Sequence, residues 1–141
     1  MAYRFVDHTA DVAFELQGRS LEELFFSAAE ATLATMVENP EDVAPRERRR
    51  VKLESKEPDL LLLNFLQELI YYKDAESLFL RPSEVKIRQT DDGWRLEGTL
   101  EGETIDPRRH RTLADVKAVT LHGLQVHPTP KGWCGFVLLD V

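Results

Sequence analysis

Two stretches of helical periodicity, set among runs of period two, limit the folds open to this chain. The stronger one follows Pro58-Asp59, where Leu62, Phe65, Leu66, Leu69 and Ile70 recur on one side of a helix. The other opens at Ser20-Leu21-Glu22-Glu23, a capping-box pattern. There the Ser20 hydroxyl can accept from the Glu23 amide, and Leu21, Leu24, Phe25, Ala28, Leu33 and Met36 carry a stripe to about Val37. Asn39-Pro40 stops it, because the residue before a proline is pushed out of the helical region. Around these two helices the chain alternates as strands do: residues 3–6, 12–18, 51–55, 78–80, 84–89, 94–100, 116–126 and 133–139. Asp91-Asp92-Gly93 reads as a hairpin turn, residues 128–132 as another, and residues 102–110 as the longest surface loop. The order strand, strand, helix, strand, helix, then several strands predicts an α+β fold in one domain (residues 1–141). Two helices are expected to cover one face of a mostly antiparallel or mixed sheet.

Charge narrows the function classes. A formal net charge of -7 argues against sequence-independent binding to nucleic acid, which needs lysine and arginine to neutralise phosphates. Residues 46–50 hold four arginines, but Glu41, Asp42 and Glu47 dilute them, so a solvated strand edge is the expectation there. The Arg108-Arg109-His110 cluster leaves a local route to RNA open. A single cysteine, Cys134, allows no intramolecular disulfide and reads as a packed strand thiol. The longest apolar run, residues 60–63, is too short to span a bilayer, and no secretory signal opens the chain, so a cytoplasmic protein with no membrane partner is expected.

The chemistry-bearing residues gather at the two ends. Asp7-His8-Thr9-Ala10-Asp11 packs two carboxylates and an imidazole into one turn, and the chain closes on Asp140 and Val141, the latter bringing an α-carboxylate. Facing carboxylates repel unless a cation sits between them. Donors of this type suit calcium, which takes about 6 to 8 oxygens in loose geometry, better than zinc, which prefers nitrogen and sulfur. The plain alternative is that Asp7 caps a turn. Lys117 interrupts the apolar run 116–119, as either an outward-facing charge or a cation placed near the acidic site. His8, His110, His122 and His127 stand in no hydrolase, zinc, phosphate-loop or dinucleotide motif, and no catalytic residue is assigned.

These stretches resemble the archease family, the small partner proteins of the RtcB-type RNA-splicing ligase. The resemblance is carried by Asp7-His8-Thr9-Ala10-Asp11 with Gly18, by Gly102-Glu103 through Arg109-His110, by Val116-Lys117-Ala118-Val119-Thr120, and by residues 137–141. It implies a non-enzymatic cofactor that assists the ligase's guanylylation and multiple turnover in tRNA splicing and RNA repair, meeting tRNA only indirectly. It also implies a calcium site. Matched motif by motif, the metal ligands are Asp11, Asp140 and the Val141 terminus, Asp7 and His8 stand in or behind that shell, and Lys117 falls on the family's functional lysine. Leu121 departs from the tyrosine expected in many members, which weakens an aromatic contact to the ligase there. The competing readings are a calcium-binding, chaperone-like interaction module unrelated to RNA ligation and a hydrolase without a recognised motif.

Overall fold

The computed structural model describes residues 2–7 and 11–141; the turn residues His8, Thr9 and Ala10 therefore lie outside the described part. In chain order the elements are β1 (Ala2–Val6), β2 (Val12–Gly18), α1 (Leu21–Met36), β3 (Glu47–Ser55), α2 (Pro58–Glu76), β4 (Leu78–Thr90), β5 (Gly93–Thr104), β6 (Ala118–Val119), β7 (Gln125–Thr129) and β8 (Gly132–Asp140). The fold is α+β, as expected, but the strands form two antiparallel sheets rather than one. The five-stranded sheet runs β1-β2-β8-β6, with β7 also pairing β8, and the three-stranded sheet runs β3-β5-β4.

Both helices follow from their local sequence. The Ser20 hydroxyl accepts from the Glu23 amide at 3.2 Å. The Glu23 carboxylate reaches back to accept from the Arg19 amide at 2.9 Å, one residue before the cap, so the side chain ties the helix start to the incoming chain. Pro58 begins α2, where its missing N–H costs nothing, and Ser77 ends it in the left-handed region at φ 55°. The stripes of both helices join one core: Leu24, Phe25, Ala28 and Leu33 of α1 and Leu61, Leu62, Phe65 and Leu66 of α2 are all fully buried. Helix α1 packs on β2 and β8 of one sheet and on β4 of the other, while α2 packs on β3, β4 and β5 and also on β6 and β7. The helices therefore join the two sheets. Phe25 and Phe65, 5.6 Å apart, mark where they meet.

Four expectations of strand extent are corrected. Residues 78–80 and 84–89 form a single strand, β4, whose register shifts between Pro82 and Glu84. A bulge there admits the proline without ending the pairing. The expected surface loop begins later than residue 102, because Gly102, Glu103 and Thr104 continue β5 opposite Leu80, Phe79 and Leu78. The expected strand 116–126 is two short ones: a turn at residues 121–124, with Gly123 at φ 71°, separates β6 from β7. Pro128 lies in β7, and the turn after it is confined to Pro130 and Lys131.

Candidate functional site

Strand pairing brings the two ends of the chain together. β2 and β8 run antiparallel with Val12 opposite Leu139 as their last pair. One step further stand Asp11 and Asp140, side by side at the same end of the sheet. β1 adds Asp7 to this end, since Val6 pairs with Ala13 and Asp7 follows it. From the other flank β6 sets Ala118 opposite Asp140, and the Lys117 amide donates to the Asp140 carbonyl at 2.8 Å. Asp7, Asp11, Lys117, Asp140 and Val141 thus come from four chain segments that converge only because β2 and β8 are neighbours. Lys117 and Asp140 are exposed, Asp11 and Val141 half-buried. Lys117 is thus an exposed residue whose backbone lies at the acidic end of the sheet.

The donors at this end are hard oxygens, the type a calcium ion takes. Among the described residues no group of three or more His, Cys, Asp and Glu side chains is gathered closely enough to hold a metal. A cation held here would meet Asp11 and Asp140 at adjacent positions across the β2–β8 pair and would need main-chain carbonyls or outside ligands to complete a calcium shell.

The segment of residues 105–117, which leads from β5 to this site, is tied down along its length. Its first tie is a buried carboxylate that sequence reasoning had placed in a surface loop. Glu103 has a side chain only 5% exposed, and it receives the Ala44 amide at 2.6 Å and the His110 ring at 3.2 Å on one oxygen. Arg109 and Arg46 meet the other oxygen. His110 Nδ1 accepts the Asp106 amide at 2.9 Å, which leaves the proton on Nε2 to donate to Glu103. Burial pushes the Glu103 carboxyl up, but the Ala44 amide, His110 and Arg109 outweigh it and hold the group below its ordinary value.

Next, the Arg111 carbonyl accepts from the Glu38 amide, and the Leu113 amide donates to the Met36 carbonyl, both at 2.8 Å. The last tie is Lys73. Its side chain is 7% exposed at the end of α2, and it donates to Asp115 at 2.5 Å and pairs with Asp74 at 2.7 Å. Burial disfavours its charge, yet the two carboxylates more than compensate and raise its pKa. Neither Glu103 nor Lys73 stood out in the sequence; the only available signal was the proximity of Glu103 to His110 within one motif.

His110, His127 and Cys134 are engaged elsewhere than at the acidic end. His110 is buried in the Glu103 network, and His127 lies opposite Cys134 in the β7–β8 pair, with Nε2 2.9 Å from Sγ. Cys134 is a half-buried strand thiol, as its sequence context suggested. His122 sits on the exposed turn between β6 and β7.

Comparison with known proteins agrees with this architecture. The chain matches the model of the Archease protein family (MTH1598/TM1083) over residues 3–141. It is 38% identical over 136 residues to the protein archease of Pyrococcus abyssi, spanning 96% of this chain and 95% of that one. Against the protein archease of Archaeoglobus fulgidus the identity is 36% over 141 residues, covering 100% of both chains. The solution structure of Methanobacterium thermoautotrophicum protein 1598 matches with a TM-score of 0.84 at 36% identity, covering 99% of this chain and 98% of that one. The crystal structure of an archease, possible chaperone, from Thermotoga maritima shares the fold with a TM-score of 0.65 at 21% identity, over 96% of this chain and 94% of that one. With a family match over nearly the whole chain and relatives of this identity along their full length, the chain belongs to the archease family.

Proposed function

We propose that this chain is a non-catalytic protein cofactor that activates an RtcB-type RNA ligase in the cytoplasm. It would promote the ligase's guanylylation and multiple turnover in tRNA splicing and RNA repair, and meet tRNA only through the ligase. The observation that carries the reading is the convergence of three family-like stretches, around Asp11, Lys117 and Asp140, at one end of one sheet. In this reading Asp11, Asp140 and the Val141 carboxylate hold a calcium ion, with Asp7 and His8 bracing the turn from beside or behind it. Bound there, calcium would cancel the repulsion between the facing carboxylates and present a divalent charge at the surface.

The chain's own residues do the rest. The β2–β8 pairing fixes the spacing of Asp11 and Asp140, so little entropy is lost when they engage a partner. Lys117 is anchored through its backbone amide while its side chain is exposed, which suits an ammonium meant for a phosphate or carboxylate of the partner. Docking would favour the ligase conformation in which its nucleotide and metal ligands are aligned, and release would return the cofactor for another cycle.

Single-turnover guanylylation of the ligase tests this with the wild-type chain, Asp11→Ala, Asp140→Ala and Lys117→Ala. Stimulation by the wild type and its loss in the variants is expected. Equal stimulation by all four would sink the assignment, and no stimulation by the wild type, with calcium binding intact, would favour an interaction module unrelated to RNA ligation.

A further inference from the structure

At the end of the five-stranded sheet opposite Asp11 and Asp140 lies an open cleft of about 650 Å3, formed where β2 leaves the sheet and the β7–β8 turn enters it. Gln17, Arg19, Thr129, Lys131, Trp133 and Cys134 contribute to its walls, and among the described residues no carboxylate does. We propose that this cleft binds phosphate groups, those of a free nucleotide or those of an RNA strand.

Charge is the first argument. The chain carries a net -7, and most of its arginines are spent on glutamates, as in Arg46–Glu103, Arg48–Glu101, Arg49–Glu76, Arg81–Glu30 and Arg95–Glu54. Among the described residues, Arg19 and Lys131 form no ion pair, as is also true of Arg50, Lys52, Lys56, Arg88, Arg108 and Lys117, but they are the two that share a cleft without carboxylates, whereas Lys52 and Lys56 line clefts beside Glu54, Glu97, Asp91 and Asp92. Two unpaired cations around one cleft form a local site for an oxyanion.

The second argument is rigidity. Gly132 adopts φ 145°, and a Cβ on it would lie 2.3 Å from the Gly18 carbonyl oxygen; one on Gly18 would stand 2.7 Å from the Leu24 amide nitrogen. The two connections are therefore pressed backbone to backbone. This contact fixes where Arg19 and Lys131 emerge, so the site is organised before a ligand arrives.

The third is size and lining. The volume falls in the range of small-molecule sites, about 300–1,000 Å3. Gln17 and Thr129 supply neutral donors, and the half-buried Trp133, held edge-on by Trp94 at 5.9 Å, supplies an aromatic surface beside the cations. Release of counterions when the two cations neutralise phosphates makes the binding salt-sensitive. For a single strand on two cations, affinity should fall with salt at a log–log slope of about -1.4, from roughly 0.7 per phosphate contact.

The inference does not rest on a ligase partner, and its test needs none. The full chain is titrated at low ionic strength with GTP, with inorganic pyrophosphate, and with a short fluorescein-labelled single-stranded oligoribonucleotide. In parallel, Cys134, the chain's only cysteine, is alkylated with iodoacetamide with and without each probe. Saturable binding by at least one probe, with slowed Cys134 alkylation, is expected. The double variant Arg19→Gln/Lys131→Gln should weaken it by about tenfold or more, since two charge-assisted hydrogen bonds are lost, while Arg50→Gln on β3 leaves it unchanged. Binding of GTP or pyrophosphate alone assigns the free nucleotide or phosphate as the source, and binding of the oligonucleotide alone assigns the strand. No saturable binding, binding without protection of Cys134, or equal binding by the double variant would overturn the proposal.

Discussion

At the scale of single residues, Glu103 shows how a buried charge is made tolerable. Each of its oxygens has partners, so the cost of burial is met by hydrogen bonds from Ala44 and His110 and by the two guanidiniums. Glu103→Gln keeps the shape but removes the charge that Arg109 and Arg46 answer, and should destabilise the chain by on the order of 2 kcal/mol at neutral pH, read from denaturant melts. The pH dependence has a definite sign. Because the folded carboxyl lies below its ordinary 4.5, the folded chain binds fewer protons there than the unfolded one. The stabilisation is therefore complete above about pH 4.5 and lost as pH falls through the lowered folded value, so the gap between wild type and variant should close in that acid window. Lys73 has the opposite sign: while Asp115 and Asp74 stay ionised its contribution is complete below its ordinary 10.5, and it is lost as pH rises through the raised folded value. Gly102 illustrates a purely steric constraint. A Cβ there would lie 1.8 Å from the Phe79 carbonyl oxygen, across the β4–β5 pair, so Gly102→Ala should cost roughly 3 kcal/mol or more or abolish folding, as thermal melts would show.

Among the elements, the segment 105–117 matters most, since it carries Lys117 from one sheet to the other. Lys73 pins it to α2 through Asp115, whose side chain is 72% exposed and so contributes little to global stability by itself. Lys73→Met, which fills the same space without charge, should leave the global unfolding free energy within about 1 kcal/mol of wild type. It should nevertheless speed amide exchange at Leu113 and Ala114, which bond to Met36 and Thr35. Unchanged exchange would show that the backbone ties alone hold the segment. The same segment marks the boundary of what the sequence disclosed. Helices α1 and α2, β2, the Asp91-Asp92-Gly93 hairpin and the α+β class were legible because their signals are local: caps, a period, a turn dipeptide. The division into two sheets was not, because pairing partners are chosen by long-range packing of the helices, which periodicity does not record. Residues 116–126 looked like one strand because β-branched residues flank a turn whose only local marker is Gly123. Glu103 and Lys73 were missed because a buried charge differs from a solvated one only in partners that lie far away in sequence.

The whole molecule is polarised along the five-stranded sheet. The seven residues of β2 separate the acidic end at Asp11 from the cationic cleft at Arg19, eight residue steps or roughly 26 Å at about 3.3 Å per residue. The acidic end was legible in part: its aspartates were visible at the two ends of the sequence, but their meeting depended on β2 and β8 being neighbours. That dependence gives the calcium proposal its sharpest test. If the Val141 carboxylate is a ligand, residues added after it replace a charged terminal group with a peptide carbonyl and carry the free carboxylate away from Asp11 and Asp140. Nothing in the core is touched, because β8 ends at Asp140 and Val141 is half-buried at the rim of the core cluster. The extended chain should therefore melt at the wild-type temperature without calcium, bind calcium about tenfold or more weakly by calorimetry, and gain correspondingly less thermal stability when calcium is added, since a ligand stabilises only in proportion to its occupancy of the folded state. Asp140→Asn, which keeps the backbone bond from Lys117, should show the same calcium loss with the same metal-free melting temperature. Unchanged affinity in the extended chain together with loss in Asp140→Asn would assign the ion to the two aspartates and release Val141 from the site.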